Sequence, residues 1–141
     1  MSAGRLVLYA DGAARGNPGP AGAGAVLLDD RGAVVAELTR ALGHATNNVA
    51  EYSALILGLE EAKRRGATAI DVRMDSKLVV EQMRGLWKIK HPGLKPLALR
   101  AGELLASFPE RKIEHVPREE NAYADMLSNR AIDEGSRGPR L

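Results

Sequence analysis

The sequence has no cysteine among its 141 residues. Disulfides, thiol catalysis and thiolate metal sites are therefore excluded, and a reducing cytoplasm is the expected setting. Long apolar runs are missing too. None reaches the ~18 residues that span a bilayer, so no membrane partner is expected. The N-terminal "MSAGRLVLYADG" holds only a short apolar stretch, broken by Asp11, and a secretory leader is not expected. There is no internal repeat, low-complexity block or interdomain linker. Histidine is scarce, at three residues. Neither sign of charge dominates: 20 Lys and Arg face 18 Asp and Glu, and the formal charge of +2 only mildly favours an anionic partner. With 45% apolar and 27% charged residues, the chain is expected to form one globular domain over 1–135 with a flexible tail at 136–141.

What the sequence does have is glycine in one place. "YADGAARGNPGPAGAGAVL" carries Gly12, Gly16, Gly19, Gly22 and Gly24. A turn needs one or two glycines. Either the stretch is an elaborate loop, or something large comes close to the main chain. Around it, "RLVLYA" reads as a buried strand ending at Asp11. "AGAGAVLLDD" and "GAVVAELTRAL" read as two more strands, joined by a turn at Asp29–Gly32. The period then changes. Tyr52, Leu55, Ile56, Leu59 and Ala62 mark one face of a helix, with Asn48 as N-cap, Glu51 three residues on, and Gly66 at the close. "AIDVRM" is a strand followed by Asp75, and Ser76 caps a short helix. Leu94–Ser107 is a helix, "RKIEHV" a strand, and "ENAYADMLSNRAIDEG" a last helix closed at Gly135. The order β-β-β-α-β-α-α-β-α predicts an α/β fold: a five-stranded mixed sheet with helices packed on its faces.

Four carboxylates fall at the ends of these elements. Asp11 ends the first strand, Glu51 opens the first helix, Asp75 ends the fourth strand, and Asp125 lies one turn into the last helix. If the first and fourth strands are parallel neighbours, Asp11 and Asp75 stand side by side at the carboxyl ends, where open α/β sheets place their sites. Each acid alone has an ordinary reading as a turn former, capping residue, helix-entry residue or solvated helix acid. Four together cannot stay unpaired without raised pKa values. Hard divalent cations resolve this, and oxygen-only ligation suits Mg²⁺ or Mn²⁺ rather than Zn²⁺. Two such ions could clamp both oxygens of a phosphodiester displacement.

The segments "DGAARGNPGPAGAGAVL", "TNNVAEYSALILGL", "MDSKLVVEQM" and "ENAYADMLSN" resemble type 1 ribonuclease H, over about Leu6 to Ile132. The wording is similar to the compact bacterial and archaeal branch, including the domain some actinobacteria fuse to a phosphatase. The resemblance implies an RNase H-like fold. It implies that Asp11, Glu51, Asp75 and Asp125 hold two Mg²⁺ ions, with Mn²⁺ as a substitute, and hydrolyse the RNA strand of an RNA–DNA hybrid to 5′-phosphate and 3′-hydroxyl ends. It places the backbone of Gly12 to Asn17 close to the RNA strand, Asn17, Asn47 and Asn48 near 2′-hydroxyls or base edges, and Thr46 near a DNA phosphate. It also implies a protein that works as a monomer.

Two departures from the family stand out. Many members carry a mobile histidine in a longer loop before the last helix. Here the connection is only "HVPREENAYAD". His115 lies in the strand in phase with Ile113 and is expected to be a packed or edge residue, while Arg118 or Glu119 could fill the space. The basic protrusion of some relatives is also shortened. Arg84, Lys88, Lys90 and Lys95 remain, with Trp87 among them expected to be at least half buried. Lys88 and Lys90 are expected near phosphate. His44 and His91 are expected at the surface. The rival readings are a noncatalytic hybrid-binding module of a larger protein, and a carboxylate exonuclease or strand-transfer enzyme on a similar sheet.

Overall fold

The computed structural model describes residues 4–85 and 87–136. Its elements are β1 (Gly4–Ala14), β2 (Gly19–Leu28), β3 (Val34–Ala45), α1 (Asn47–Arg64), β4 (Ala67–Met74), α2 (Lys77–Met83), α3 (Lys95–Ala106), β5 (Glu110–His115), a 3-10 turn (Arg118–Asn121) and α4 (Ala122–Ser136). This is the expected order. The sheet runs β3-β2-β1-β4-β5. The first three strands form an antiparallel meander, and β4 and β5 join parallel to β1. The tail expected at 136–141 lies, beyond Ser136, outside the described residues.

Alternation along the strands sorts the two faces. Leu6, Leu8 and Ala10 of β1 lie in the main core with Ala23, Ala25 and Leu27 of β2, and α1 packs on them. Helix α3 lies against α1. On the other face α4 crosses β1, β2 and β3. Among the described residues no helix is long and apolar enough to cross a membrane.

The glycine-rich stretch is mostly sheet, not loop. β1 does not stop at Ala10. Its antiparallel pairing with β2 runs on through Asp11↔Gly24 to Ala14↔Ala21. Alanine and glycine are poor strand formers, and here the ladder overrides propensity. Three of the glycines face helices. A side chain at Gly12 would run into the backbone of Ala50 and Glu51 in α1. One at Gly22 would meet the Ser128 carbonyl oxygen at 2.5 Å, and one at Gly24 the Ala124 carbonyl oxygen at 2.7 Å, both in α4.

Two helix ends differ from expectation. The N-cap of α1 is Thr46, whose Oγ1 accepts from the Val49 N–H at 3.3 Å. Asn48 therefore sits inside the first turn, and the Asn48–Glu51 capping box does not form. Helix α4 begins after the 3-10 turn, at Ala122, and continues through Gly135 to Ser136. Gly135 is a packing residue there, since a Cβ would lie 2.6 Å from that of Ala41.

Close approach and helix propensity predict opposite signs at two glycines. Gly24→Ala must push α4 off the sheet and is expected to cost about 2 kcal/mol or more. Gly102→Ala, inside α3 with nothing within 4 Å of the new methyl, is expected to stabilise by roughly 0.5–1 kcal/mol. Urea midpoints of the two variants check both signs. Equal shifts would contradict the packing role of Gly24.

Candidate active site

Parallel pairing of β1 with β4 ends at Tyr9↔Arg73. Two residues further along each strand stand Asp11 and Asp75, so the register alone sets them side by side. Helix α1 then brings Glu51. Its carboxylate accepts the Gly12 N–H, a contact that is available because Gly12 has no side chain to hold the helix away. Carboxylate oxygens of Asp11, Glu51 and Asp75 all lie within 4.8 Å of one another. Asp125, in the first turn of α4, completes the group against Asp11. All four acids line one cleft with Arg15, Asn47, His115, Arg118 and Asn129.

The electrostatics are those of a site built to receive positive charge. Asp11 is 6% exposed and Glu51 9%. Burial raises the pKa of Asp11, and the neighbouring Glu51, Asp75 and Asp125 raise it further. Burial also raises Glu51, as does the charge on Asp75; hydrogen bonds from Asp11, the Gly12 N–H and Ser76 partly offset this. Oxygen-only donors, crowded and with raised carboxyl pKa values, fit a hard divalent cation.

Asp75 is oriented by a residue that sequence reasoning missed. Asn121, 1% exposed, donates from Nδ2 to the Ala10 carbonyl and to Asp75 Oδ1, both at 3.0 Å. Its own Oδ1 is buried without a partner among the described residues. Asn129 was missed as well. It donates to the Asp125 carbonyl at 3.0 Å, one helical turn on, and accepts from Arg15 at 3.3 Å. Arg15 also pairs with Asp133 at 2.7 Å. The i, i+4 spacing of Asp125, Asn129 and Asp133 was visible in the sequence; that Arg15 reaches them from another element was not.

Of the asparagines at 17, 47 and 48, Asn47 lines the cleft with the acids, and Asn17 is bonded to it. Asn47 Oδ1 accepts the Ala14 N–H, and Asn17 Oδ1 accepts the Asn47 N–H, each at 3.0 Å. These bonds use the amide oxygens and leave the two Nδ2 groups without a hydrogen-bond partner among the described residues. Asn48 is exposed in the first turn of α1. Thr46 is half-buried and occupied as the cap. Gly12 lines the cleft but is buried, with its N–H used by Glu51. His115 ends the edge strand β5 and is exposed, so it is an edge residue rather than a packed one. Lys88 and Lys90 are exposed on the loop after α2 and do not line the cleft. Trp87 keeps 44% of its surface open, a little more than half covered. His44 and His91 are exposed.

Comparison with known proteins gives relatives of the whole fold. A family profile described as reverse transcriptase-like matches residues 9–131. The bifunctional protein Rv2228c of Mycobacterium tuberculosis is 55% identical over 92% of this chain and 36% of its own length. Its N-terminal RNase H domain, solved as a fusion with maltose-binding protein, superposes with a TM-score of 0.91 at 52% identity, covering 94% of this chain and 96% of that one. Ribonuclease HI of Halobacterium salinarum is 49% identical over 93% of this chain and 66% of its own. LC11-RNase H1, solved in complex with an RNA/DNA hybrid, has a TM-score of 0.87 at 44% identity, covering 92% of this chain and 98% of that one. The chain thus spans about a third of the first relative and about two thirds of the second.

Raised carboxyl pKa values have a definite consequence. The folded state binds more protons than the unfolded one, so metal-free stability falls as pH rises from the unfolded carboxyl range near 4 toward the raised folded values. Asp11→Asn removes the largest like-charge conflict. At pH 7–8 and without metal, its melting temperature is expected to exceed wild type by at least ~3 °C, the gap closing toward pH 4. Mg²⁺ is expected to raise the wild-type melting temperature and not that of the variant. A metal-free Asp11→Asn less stable than wild type would contradict the crowding argument.

Proposed function

The chain belongs to the type 1 ribonuclease H family, and from that premise we propose that it is a metal-dependent endonuclease cutting the RNA strand of RNA–DNA hybrids. The observation that carries the reading is convergence. Acids from β1, α1, the end of β4 and α4 meet in one cleft, with oxygens of three of them within 4.8 Å of one another, and Asn47 lines the same cleft.

In this reading Asp11, Glu51, Asp75 and Asp125 hold two Mg²⁺ ions, which Mn²⁺ can replace. The bound ions would supply a lowered water pKa and charge stabilisation for phosphodiester hydrolysis, leaving 5′-phosphate and 3′-hydroxyl ends. The chain's own residues do the positioning. The Gly12 N–H and Ser76 fix Glu51, Asn121 fixes Asp75, and Asn129 reaches Asp125. Asn17 and Asn47 each have the acceptor spent on backbone, so each offers N–H donors to a 2′-hydroxyl oxygen or a minor-groove acceptor. Asn48 and the Thr46 hydroxyl, which remains free to donate, stand beside them for the backbone. A strand of DNA lacks the 2′ oxygen and leaves donors unpaired, which is the physical basis for choosing RNA.

The site is complete within one chain, so the working unit is a monomer. Hybrids form where DNA is replicated and transcribed, so we place the protein in the cytoplasm with its substrate. Removal of RNA primers and clearance of hybrids from transcription are the corresponding roles.

The test is cleavage of an end-labelled hybrid with Mg²⁺, beside single-stranded RNA, duplex RNA and duplex DNA. Wild type is expected to cut only the RNA of the hybrid, and Asp75→Asn to lose at least ~10²-fold in rate. Binding without cutting in either Mg²⁺ or Mn²⁺ would overturn the reading in favour of a hybrid-binding module.

Lys88 and Lys90 lie outside the acidic cleft, exposed on one loop, where we place the DNA strand's phosphates. Replacing both with Ala is expected to weaken hybrid binding and to reduce the slope of log K against log salt by about 1–2. An unchanged slope removes the loop from the binding surface.

A further inference from the structure

Two buried polar side chains, Tyr52 and Gln82, take no part in the proposed chemistry. Tyr52 is fully buried and Gln82 is 7% exposed. Burial of such groups costs stability unless each finds a partner. Here they form a chain of hydrogen bonds that leaves the core. The Tyr52 hydroxyl donates to Gln82 Oε1 at 2.5 Å, and Gln82 Nε2 donates to the Lys88 carbonyl at 3.3 Å. A neutral phenol donates, so the Tyr52 hydroxyl is the donor of the pair. Tyr52 is the residue after Glu51 on α1. The chain therefore ties the metal-site helix, through α2, to the main chain of the basic loop.

That loop has few other restraints among the described residues. The Trp87 N–H reaches the Glu81 carbonyl at 3.3 Å, and Ile89 packs against the core. Lys88 and Lys90 flank Ile89 and are exposed. Ile89 packs on the core and the Lys88 carbonyl is held by Gln82, so the backbone that carries both exposed lysines is tied at two points. No other side chain among the described residues holds the loop backbone at Lys88.

We infer that Gln82, itself fixed by Tyr52, is a positioning residue that pre-orders the Lys88–Lys90 segment for the phosphates of the bound hybrid. The inference rests on the reading that this pair contacts the hybrid. A loop ordered before binding does not lose its freedom on binding, so releasing it weakens affinity without touching the chemical step.

The chain has a single tryptophan, and it is Trp87, next to Lys88. Its fluorescence reports the loop directly. We would compare Gln82→Met and the double variant Tyr52→Phe/Gln82→Met, the second leaving no buried polar group unpaired and so keeping the fold intact. Binding is read with a labelled hybrid in an Asp75→Asn background, which does not cut. The expected result in both variants is lower Trp87 anisotropy, red-shifted emission and a Kd raised about 3- to 10-fold, with kcat at saturating hybrid unchanged when Asp75 is restored. A Trp87 signal that does not move in a folded variant overturns the inference. So does an unchanged Kd, or a kcat that falls with Kd constant. If Lys88→Ala/Lys90→Ala alone leaves Kd unchanged, the phosphate-contact reading has failed and the inference falls with it. That case is told apart because Trp87 still responds to Gln82→Met.

Discussion

The site depends on how closely two helices can lie on a sheet. With a side chain at position 12, α1 could not rest where it does, because the backbone of Ala50 and Glu51 occupies that space. Glu51 would then lose the Gly12 N–H and move away from Asp11. On the opposite face Gly22 and Gly24 do the same for α4, and α4 carries Asp125. Three absent side chains thus bring acids from four elements together. Helix-on-sheet distance is usually discussed as a matter of core packing. Here it also sets the spacing of the carboxylates.

The same closeness creates a conflict that the rest of the molecule absorbs. Buried like charges are unfavourable, and the hydrogen bonds from Gly12, Ser76 and Asn121 relieve only part of the repulsion. The apolar residues of β1, β2, α1 and α3 form a continuous core behind the site. Local rules are broken at the acidic cluster, the usual signature of a functional position. The first turn of α4 adds a small favourable term, since its amino end attracts the Asp125 charge.

The meeting of four acids was legible because Asp11 and Asp75 close apolar strand patterns and Glu51 and Asp125 lie near helix starts; the β1–β4 pairing it required was a condition that the sheet order meets. The alternation from Leu6 to Ala10 and the helical period from Tyr52 to Ala62 were legible for the same reason. Thr46 and Asn48 were not separable, since both are good N-caps and a Glu follows Asn48 at the right distance. A tertiary bond decided it, because Glu51 is drawn to Gly12 rather than back to the helix start. The glycines misled in the opposite direction. They suggested a ligand against the backbone, and at Gly12, Gly22 and Gly24 the close neighbour is a helix of the same chain. Gly135 resembled a stop signal and instead fits against Ala41 of β3. Asn121, Asn129 and Arg15 act across the fold, and no local pattern marks them.

The two sides of the proposed binding surface are held by one device used twice. Near the acids, Asn47 accepts from Ala14 and Asn17 from Asn47, so the loop after β1 is fixed to the start of α1. Further along, Tyr52 and Gln82 fix the basic loop to the same helix. Glu51 lies between these two anchors on α1. A shift of α1 along the sheet would therefore move the Asn17 and Asn47 amides, the Glu51 carboxylate and the lysine loop together. It would not let one drift relative to the others. On the proposed reading, one helix would thus keep weak polar contacts to a hybrid in register with the acids without a deep pocket.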